Sequence, residues 1–323
     1  MRLRAVAAGL AVLVALAGCT AAEPITSPTA SATPTATASS RLDCDELLPV
    51  GRASAALAVP SSDLEGTREV AVRGSSELIR EAAQENGGLL ACSWYREDGA
   101  ASITASALED AAEAFAAAAH PGTRLATDVE AYSACADTLC DVDLLAGTTW
   151  VTIELTEAPA DADLAALVSE TADAASGRLD EPITADTPVC ADLLTAEELT
   201  TTAGLAQATP GAGTEGAAPA TAPAAAAARA GYASCTWTDP TSSTYAGLSV
   251  DVLPNGVEGW QNLSLTSGLA IPLTPLDGLG DRALSGCGGG SCEIDLVADS
   301  VWWRVQVTGD AARADAVARA LIG

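Results

Sequence analysis

Eight cysteines of this chain fall into two sets of four with matching neighbours, and that pattern restricts the possible fold more than any other feature. The first set is Cys44, Cys92, Cys135 and Cys140; the second is Cys190, Cys235, Cys287 and Cys292. Cys44-Asp-Glu-Leu47-Leu48 corresponds to Cys190-Ala-Asp-Leu193-Leu194, and Cys92-Ser-Trp94 to Cys235-Thr-Trp237. Each half ends with Cys-x4-Cys, and Trp150 and Trp302 each lie ten residues past it. Self-similarity on this scale marks a tandem duplication. It divides the chain into repeat domains at 42–180 and 188–323, with a linker at 181–187.

Within each half the elements follow one order. Residues 89–95 and 231–237 read as strands, with hairpin partners at 102–108 and 246–253, followed by helices at 109–119 and 257–265. A three-strand meander then closes each half. Its last hairpin joins 140–145 to 149–155 in the first repeat and 292–297 to 301–307 in the second. Thr195-Ala-Glu-Glu198 is a capping box for a short helix, and helices at 161–176 and 310–322 carry apolar stripes at i, i+3, i+4 spacing. Antiparallel strands with flanking helices define an α+β class.

The N-terminus carries an address. Met1-Arg2-Leu3-Arg4 and the apolar run 5–17 form an export signal too short to span a bilayer. Leu16-Ala17-Gly18-Cys19 resembles the lipobox of bacterial lipoproteins, which implies removal of residues 1–18 and acylation of Cys19. Multiple acyl chains anchor a protein stably, where one chain holds it marginally. Residues 19–41, rich in Thr, Ser and Pro, are expected to be a disordered tether. A second biased stretch, 206–230, reads as a disordered insertion, with a polyalanine helix at 224–228 as its alternative. Loss of the signal takes the formal charge from −28 to −30. A chain so acidic repels phosphate backbones, which disfavours nucleic acid and leaves cations and basic proteins as partners.

Even cysteine counts at repeated spacing in an exported chain mean disulfides. The expected pairs are Cys44–Cys92, Cys135–Cys140, Cys190–Cys235 and Cys287–Cys292. No metal or other cofactor is expected, since thiolates are oxidised outside the cell and His120 is the only histidine. His120 follows a predicted helix, where imidazole caps carbonyls and complements the helix dipole. Nucleophile elbows, phosphate loops and zinc-protease motifs are lacking. Asp141 and Asp143 alternate with Val142 and Leu144, which places both acids on the solvent face of a strand.

Alternation also separates Trp150 and Trp302 from the apolar face of their strands, leaving Trp302 beside Arg304. Trp150, Trp302 and Arg304 are therefore the candidate ligand or partner surface, the competing role being packing beneath a helix or between domains. Trp94 and Trp237, next to cysteines, are expected to pack on the disulfides.

The lipobox, Thr/Pro tether, Cys-x-x-Leu-Leu start, Cys-x-Trp strand and late cysteine pair together resemble a family of small actinobacterial lipoproteins of unknown function, present here twice. The resemblance implies an envelope location and no established catalysis. A weaker similarity is to disulfide-stapled extracellular sensor domains of receptor kinases. The expected role is a non-enzymatic, membrane-anchored binding or adaptor protein on the extracytoplasmic face, meeting an envelope protein or ligand. A lipid or glycan carrier with an apolar pocket is the alternative. A cell-wall hydrolase, which would need two acids of raised pKa converging in a cleft, is a distant third.

Overall fold

The computed structural model describes residues 41–66, 72–210, 218–241 and 247–323; the export signal, Cys19 and residues 20–40 of the tether lie outside them. The first repeat comprises α1 (Cys44–Leu47), α2 (Val50–Leu57), β1 (Leu64–Glu65), α3 (Ser75–Asn86), β2 (Leu90–Arg96), β3 (Ser102–Leu108), α4 (Ala112–Ala117), β4 (Thr123–Arg124), β5 (Glu130–Ala136), β6 (Leu139–Ala146), β7 (Thr149–Thr156) and α5 (Leu164–Ala174). The second comprises α6 (Cys190–Leu193), α7 (Ala196–Thr201), β8 (Thr209–Pro210), α8 (Ala222–Arg229), β9 (Ala233–Thr238), β10 (Gly247–Leu253), α9 (Val257–Leu265), β11 (Thr274–Pro275), β12 (Arg282–Gly288), β13 (Ser291–Ala298), β14 (Val301–Thr308) and α10 (Ala311–Ile322).

Each repeat builds one antiparallel sheet. The orders, β1-β2-β3-β7-β6-β5-β4 and β8-β9-β10-β14-β13-β12-β11, are the same path traced twice. The chain is therefore a duplicated α+β protein with two disulfides in each half. Cys44–Cys92 and Cys190–Cys235 tie the first helix of each repeat to its strand, while Cys135–Cys140 and Cys287–Cys292 face each other across hairpins, with Cα atoms 4.1 Å apart in each. Residue alternation gives each sheet one apolar face. Val142, Leu144, Val151 and Ile153 pack with Leu47 and Leu57 and with Leu167 and Val168 of α5. Ile294, Leu296, Val305 and Val307 pack with Leu199 of α7 and Val317 of α10. Trp94 and Trp237 join these cores.

The other faces are covered by an exchange. Helix α3 belongs to the first repeat but packs on β10 and β14 of the second, and α8 of the second packs on β3 and β7 of the first. The two exchanged helices also pack on each other, and α3 meets α9. Such close contacts require small residues. A Cβ on Gly87 would sit 2.0 Å from the Ala226 carbonyl oxygen, and one on Gly259 would sit 2.3 Å from the Ala82 Cβ. Ala222, Ala225, Ala226 and Ala227 supply the buried side of α8. The linker seals the arrangement, since Ile183 N–H donates to the Asn86 carbonyl and Ala185 N–H to that of Arg229, the last residue of each exchanged helix.

Three expectations are corrected. The 206–230 stretch is not a disordered insertion throughout: α8 occupies Ala222–Arg229, capped by the Thr221 hydroxyl on Ala224 N–H and buried between the repeats. Residues 211–217 lie outside the described part. Helix α4 is shorter than 109–119, because Asp110 adopts φ 54° and Ala118 is extended. Helix α5 begins later than residue 161, since Asp163 caps it by accepting from Ala166 N–H. Helix α3 is an element that the sequence pattern does not announce, whereas the capping box at Thr195 forms as expected.

Gly87→Ala tests the exchange directly, because Gly87 has φ −72°, which suits alanine, and only the steric cost remains. Overpacking at the α3–α8 contact is expected to cost about 1–3 kcal/mol in chemical denaturation; unchanged stability would mean that the helices do not meet so closely.

Candidate ligand-binding cleft

Trp150 and Trp302 are each 0% exposed and Arg304 is 5% exposed, so these three residues form no ligand or partner surface. The exchanged and flanking helices cover the face on which alternation placed them. Each indole N–H donates to an aspartate seven residues earlier, Trp150 to Asp143 and Trp302 to Asp295, at 2.9 Å in both repeats. Asp143 is consequently buried rather than solvated as expected. An Asp-x6-Trp spacing repeated in both halves is the sequence signal for this pair.

Beyond that shared pair the repeats diverge. In the second, the Arg304 guanidinium donates to Asp251 at 2.8 Å, to Glu293 at 2.5 Å and to the Ser75 hydroxyl at 2.7 Å, and Ser75 in turn donates to Glu293. Tyr232 completes the group by donating to Asp251. Ser75 is the first residue of α3, so this network fastens the exchanged helix to the foreign sheet. Burial opposes the charge on Arg304, but Glu293, Asp251 and Asp295 outweigh it and hold its pKa above the ordinary value. For Asp295 a rise has the opposite effect, favouring the uncharged form. Desolvation, reinforced by Glu293 and opposed by Arg304, raises its pKa well above 3.8, and its Oδ2, which faces Glu293, accepts no hydrogen bond among the described residues. A proton there turns Oδ2 into a donor toward Glu293.

In the first repeat Thr152 stands where the second has Arg304. Its hydroxyl accepts from Ala222 N–H, the first residue of α8, and donates to Asp143. His120 lies in the same layer, its Nε2 2.8 Å from the Phe115 carbonyl and its Nδ1 3.7 Å from Asp143, with the ring stacked 4.8 Å from Tyr132. The predicted carbonyl contact is thus made, inside an aromatic cluster with Phe115 and Trp150.

Helix α8 has 8 residues against 12 in α3. Aligned at the glycines that follow them, Gly231 and Gly88, α8 lacks the opening turn. Small side chains and a missing turn leave a cavity of about 640 Å³, lined by Thr104, Ser106, Thr152 and Glu154 of the sheet and by Glu81 and Glu85 of α3. A second cavity of about 620 Å³ shares Arg80, Gln84 and Pro223 with the first; its remaining walls are mostly apolar, with Val189, Ala218, Pro219, Ala220, Ala224, Ala227, Ala228 and Tyr232 beside Thr187 and Thr221. The two adjoin at these shared residues beside the exchanged helices, the first richer in polar and the second in apolar side chains. Burial pushes the Glu85 carboxyl up, aided by Glu81 and Glu258, and burial with Asp141 and Asp143 does the same to Glu154. Among the described residues no His, Cys and acidic group is arranged to hold a metal ion. None of the cleft residues is singled out by sequence, since they converge only through the exchange.

No protein family, curated protein or solved structure matches the chain. The fold and cleft alone define it: two homologous, disulfide-stapled α+β domains interlocked by helix exchange.

Two substitutions separate the parts of the buried network. Arg304→Met strands Asp251 and Glu293 without their cation, and the expected loss is about 3–5 kcal/mol, read by chemical denaturation. Asp295→Asn keeps an acceptor for Trp302 but removes the titrating group. Because native Asp295 retains a proton that the unfolded chain releases, wild-type stability should fall as pH rises above 3.8 toward the raised folded value. The melting temperature of the variant relative to wild type should therefore climb with pH, and a pH-independent difference would contradict a raised Asp295.

Proposed function

We propose that this chain is a lipid-anchored, extracytoplasmic binding protein of the cell envelope, and that the cleft between its exchanged helices receives a ligand. The observation that carries this reading is a polar cavity lying next to a more apolar one, with Arg80, Gln84 and Pro223 lining both. Clefts of several hundred Å³ with segregated polar groups are the usual form of small-molecule sites. The export signal and the lipobox ending in Cys19 support the anchor, as does the resemblance to actinobacterial lipoproteins. Of the alternatives, the carrier with an apolar pocket comes closest to this geometry, since alanine, proline and valine make up most of the second cavity's walls. Binding rather than catalysis is favoured because His120 is enclosed by Phe115, Tyr132 and Trp150.

A second reading has one observation in its favour: Glu85 and Glu154, both with raised pKa, line the same cavity, as an acid pair for glycan hydrolysis would. Release of reducing ends from cell-wall glycan, lost in Glu154→Gln, would select it.

The binding reading is tested with the full chain expressed in an actinobacterial host. Labelled palmitate should enter the wild type and not Cys19→Ala, which should leave the membrane fraction. Native mass spectrometry of detergent-extracted protein should show an added mass that Ala228→Trp abolishes, as Ala228 is exposed and faces the apolar cavity. An unlabelled wild type would overturn the anchor. A bare wild-type mass, or an adduct retained in Ala228→Trp, would overturn the cleft as the site.

A further inference from the structure

The second repeat already shows what the first repeat's sheet is built to hold. There the face beside the buried tryptophan presents Asp251, Glu293 and Asp295, and Arg304 supplies the cation that these acids surround. The duplication aligns Glu293 with Asp141, Asp295 with Asp143 and Arg304 with Thr152. The first repeat thus keeps two of the acids, adds Glu154 directly across from Asp141, and lacks the arginine. Asp143 has Trp150, Thr152 and nearby His120 as partners. Asp141 and Glu154 form no ion pair among the described residues, and the cavity opens where the arginine would lie.

The structure assigns to the cleft an amphiphile with an ammonium or guanidinium head, seated over Glu154 where the second repeat holds the Arg304 guanidinium, and an aliphatic chain that passes Pro223 into the alanine- and proline-lined cavity. This assignment rests on the ligand-binding reading above and adds the chemical class. Four features support it. The polar cavity carries Glu81, Glu85 and Glu154 beside hydroxyls, whereas no carboxylate among the described residues lines the second cavity. Arg80 lines both cavities and repels a cation in either, but only the first offers carboxylates to offset it, so the head is directed there and the chain to the other. Glu85 and Glu154 stand exposed at the cavity wall, and partial desolvation together with acidic neighbours raises both, a cost that a bound cation relieves. The strongly negative chain also steers cations inward at long range.

Titration calorimetry on the full-length protein with dodecylguanidine, octylguanidine, dodecyl sulfate and dodecyl maltoside, each below its micelle threshold, tests the assignment. Dodecylguanidine should bind at least tenfold more tightly than octylguanidine and than either non-cationic amphiphile. Glu154→Gln should weaken it at least tenfold while leaving the melting temperature within a few degrees, and Ala228→Trp should erase the chain-length dependence. Thr152→Arg, which installs the second repeat's cation in the first, should abolish binding; if that variant does not fold, Glu154→Gln still decides the matter. Equal binding of dodecyl sulfate or maltoside, unaffected by Glu154→Gln but lost in Ala228→Trp, would overturn the cationic head while leaving a ligand cleft. Absence of binding by all four probes would overturn the assignment, and an adduct still lost in Ala228→Trp by native mass spectrometry would show that the cleft reading survives it.

Discussion

The packing of α3 and α8 on each other's sheets is the interaction on which the rest of the structure depends. Each sheet buries its first face with helices of its own repeat, but the second face of each is closed largely by a helix donated from the other. Area removed from water at these faces is shared between the repeats, so the hydrophobic term that stabilises one half also holds the halves together. Gly87 and the alanines of α8 matter because they let the two helices approach to backbone contact. The alanine content, 72 of 323 residues, therefore has a structural use at this crossing as well as a compositional bias behind it.

Polar groups then decide how the exchanged helices are seated. In the second repeat, Ser75 of α3 enters a buried network of one arginine and three acids; in the first, the Ala222 amide meets a single threonine hydroxyl. Both solutions satisfy the start of a helix on a foreign sheet, but they differ in volume and charge. Buried ion pairs contribute little net stability compared with apolar packing, while they penalise wrong arrangements heavily. The Arg304 network is thus better understood as fixing where α3 docks than as a source of stability, and the threonine version leaves room beside it.

Much of the architecture is legible in the sequence, and the reason is local. Disulfide pairs follow from spacing, hairpins from alternation, and the capping box at Thr195 from three residues; all are decided by neighbours along the chain. What escaped was non-local. Helix α3 carries Leu78, Ile79, Ala82 and Ala83 on its buried side, but the surface that receives them lies in the other repeat. The run 222–229 looks too small and too rich in alanine to make a core, until a second helix approaches closely enough to need small residues. Period-2 alternation correctly separated Trp150, Asp143 and Arg304 from the apolar face, yet the inference that a polar face meets water failed because a borrowed helix covers it. The cleft inherits this difficulty, since Glu85 and Glu154 come from elements that only the exchange brings side by side.

The symmetry of the exchange has a consequence for descent. One repeat alone would present an uncovered sheet face and a helix without a seat, a pair of needs that a second copy satisfies by a two-fold axis. A homodimer of that kind is bound to duplicate every substitution, so a cavity opened in one protomer opens in both, and an arginine that fills one fills the other. Joining the copies in a single chain through residues 181–187 removes that obligation. One sheet is thereby free to be solid, sealed by Arg304 and the full-length α3, while the other, with Thr152 in place of the arginine and covered by the shorter α8, is free to be hollow. The missing turn of α8 is, on this view, the mark of a division of labour that only a fused pair can carry.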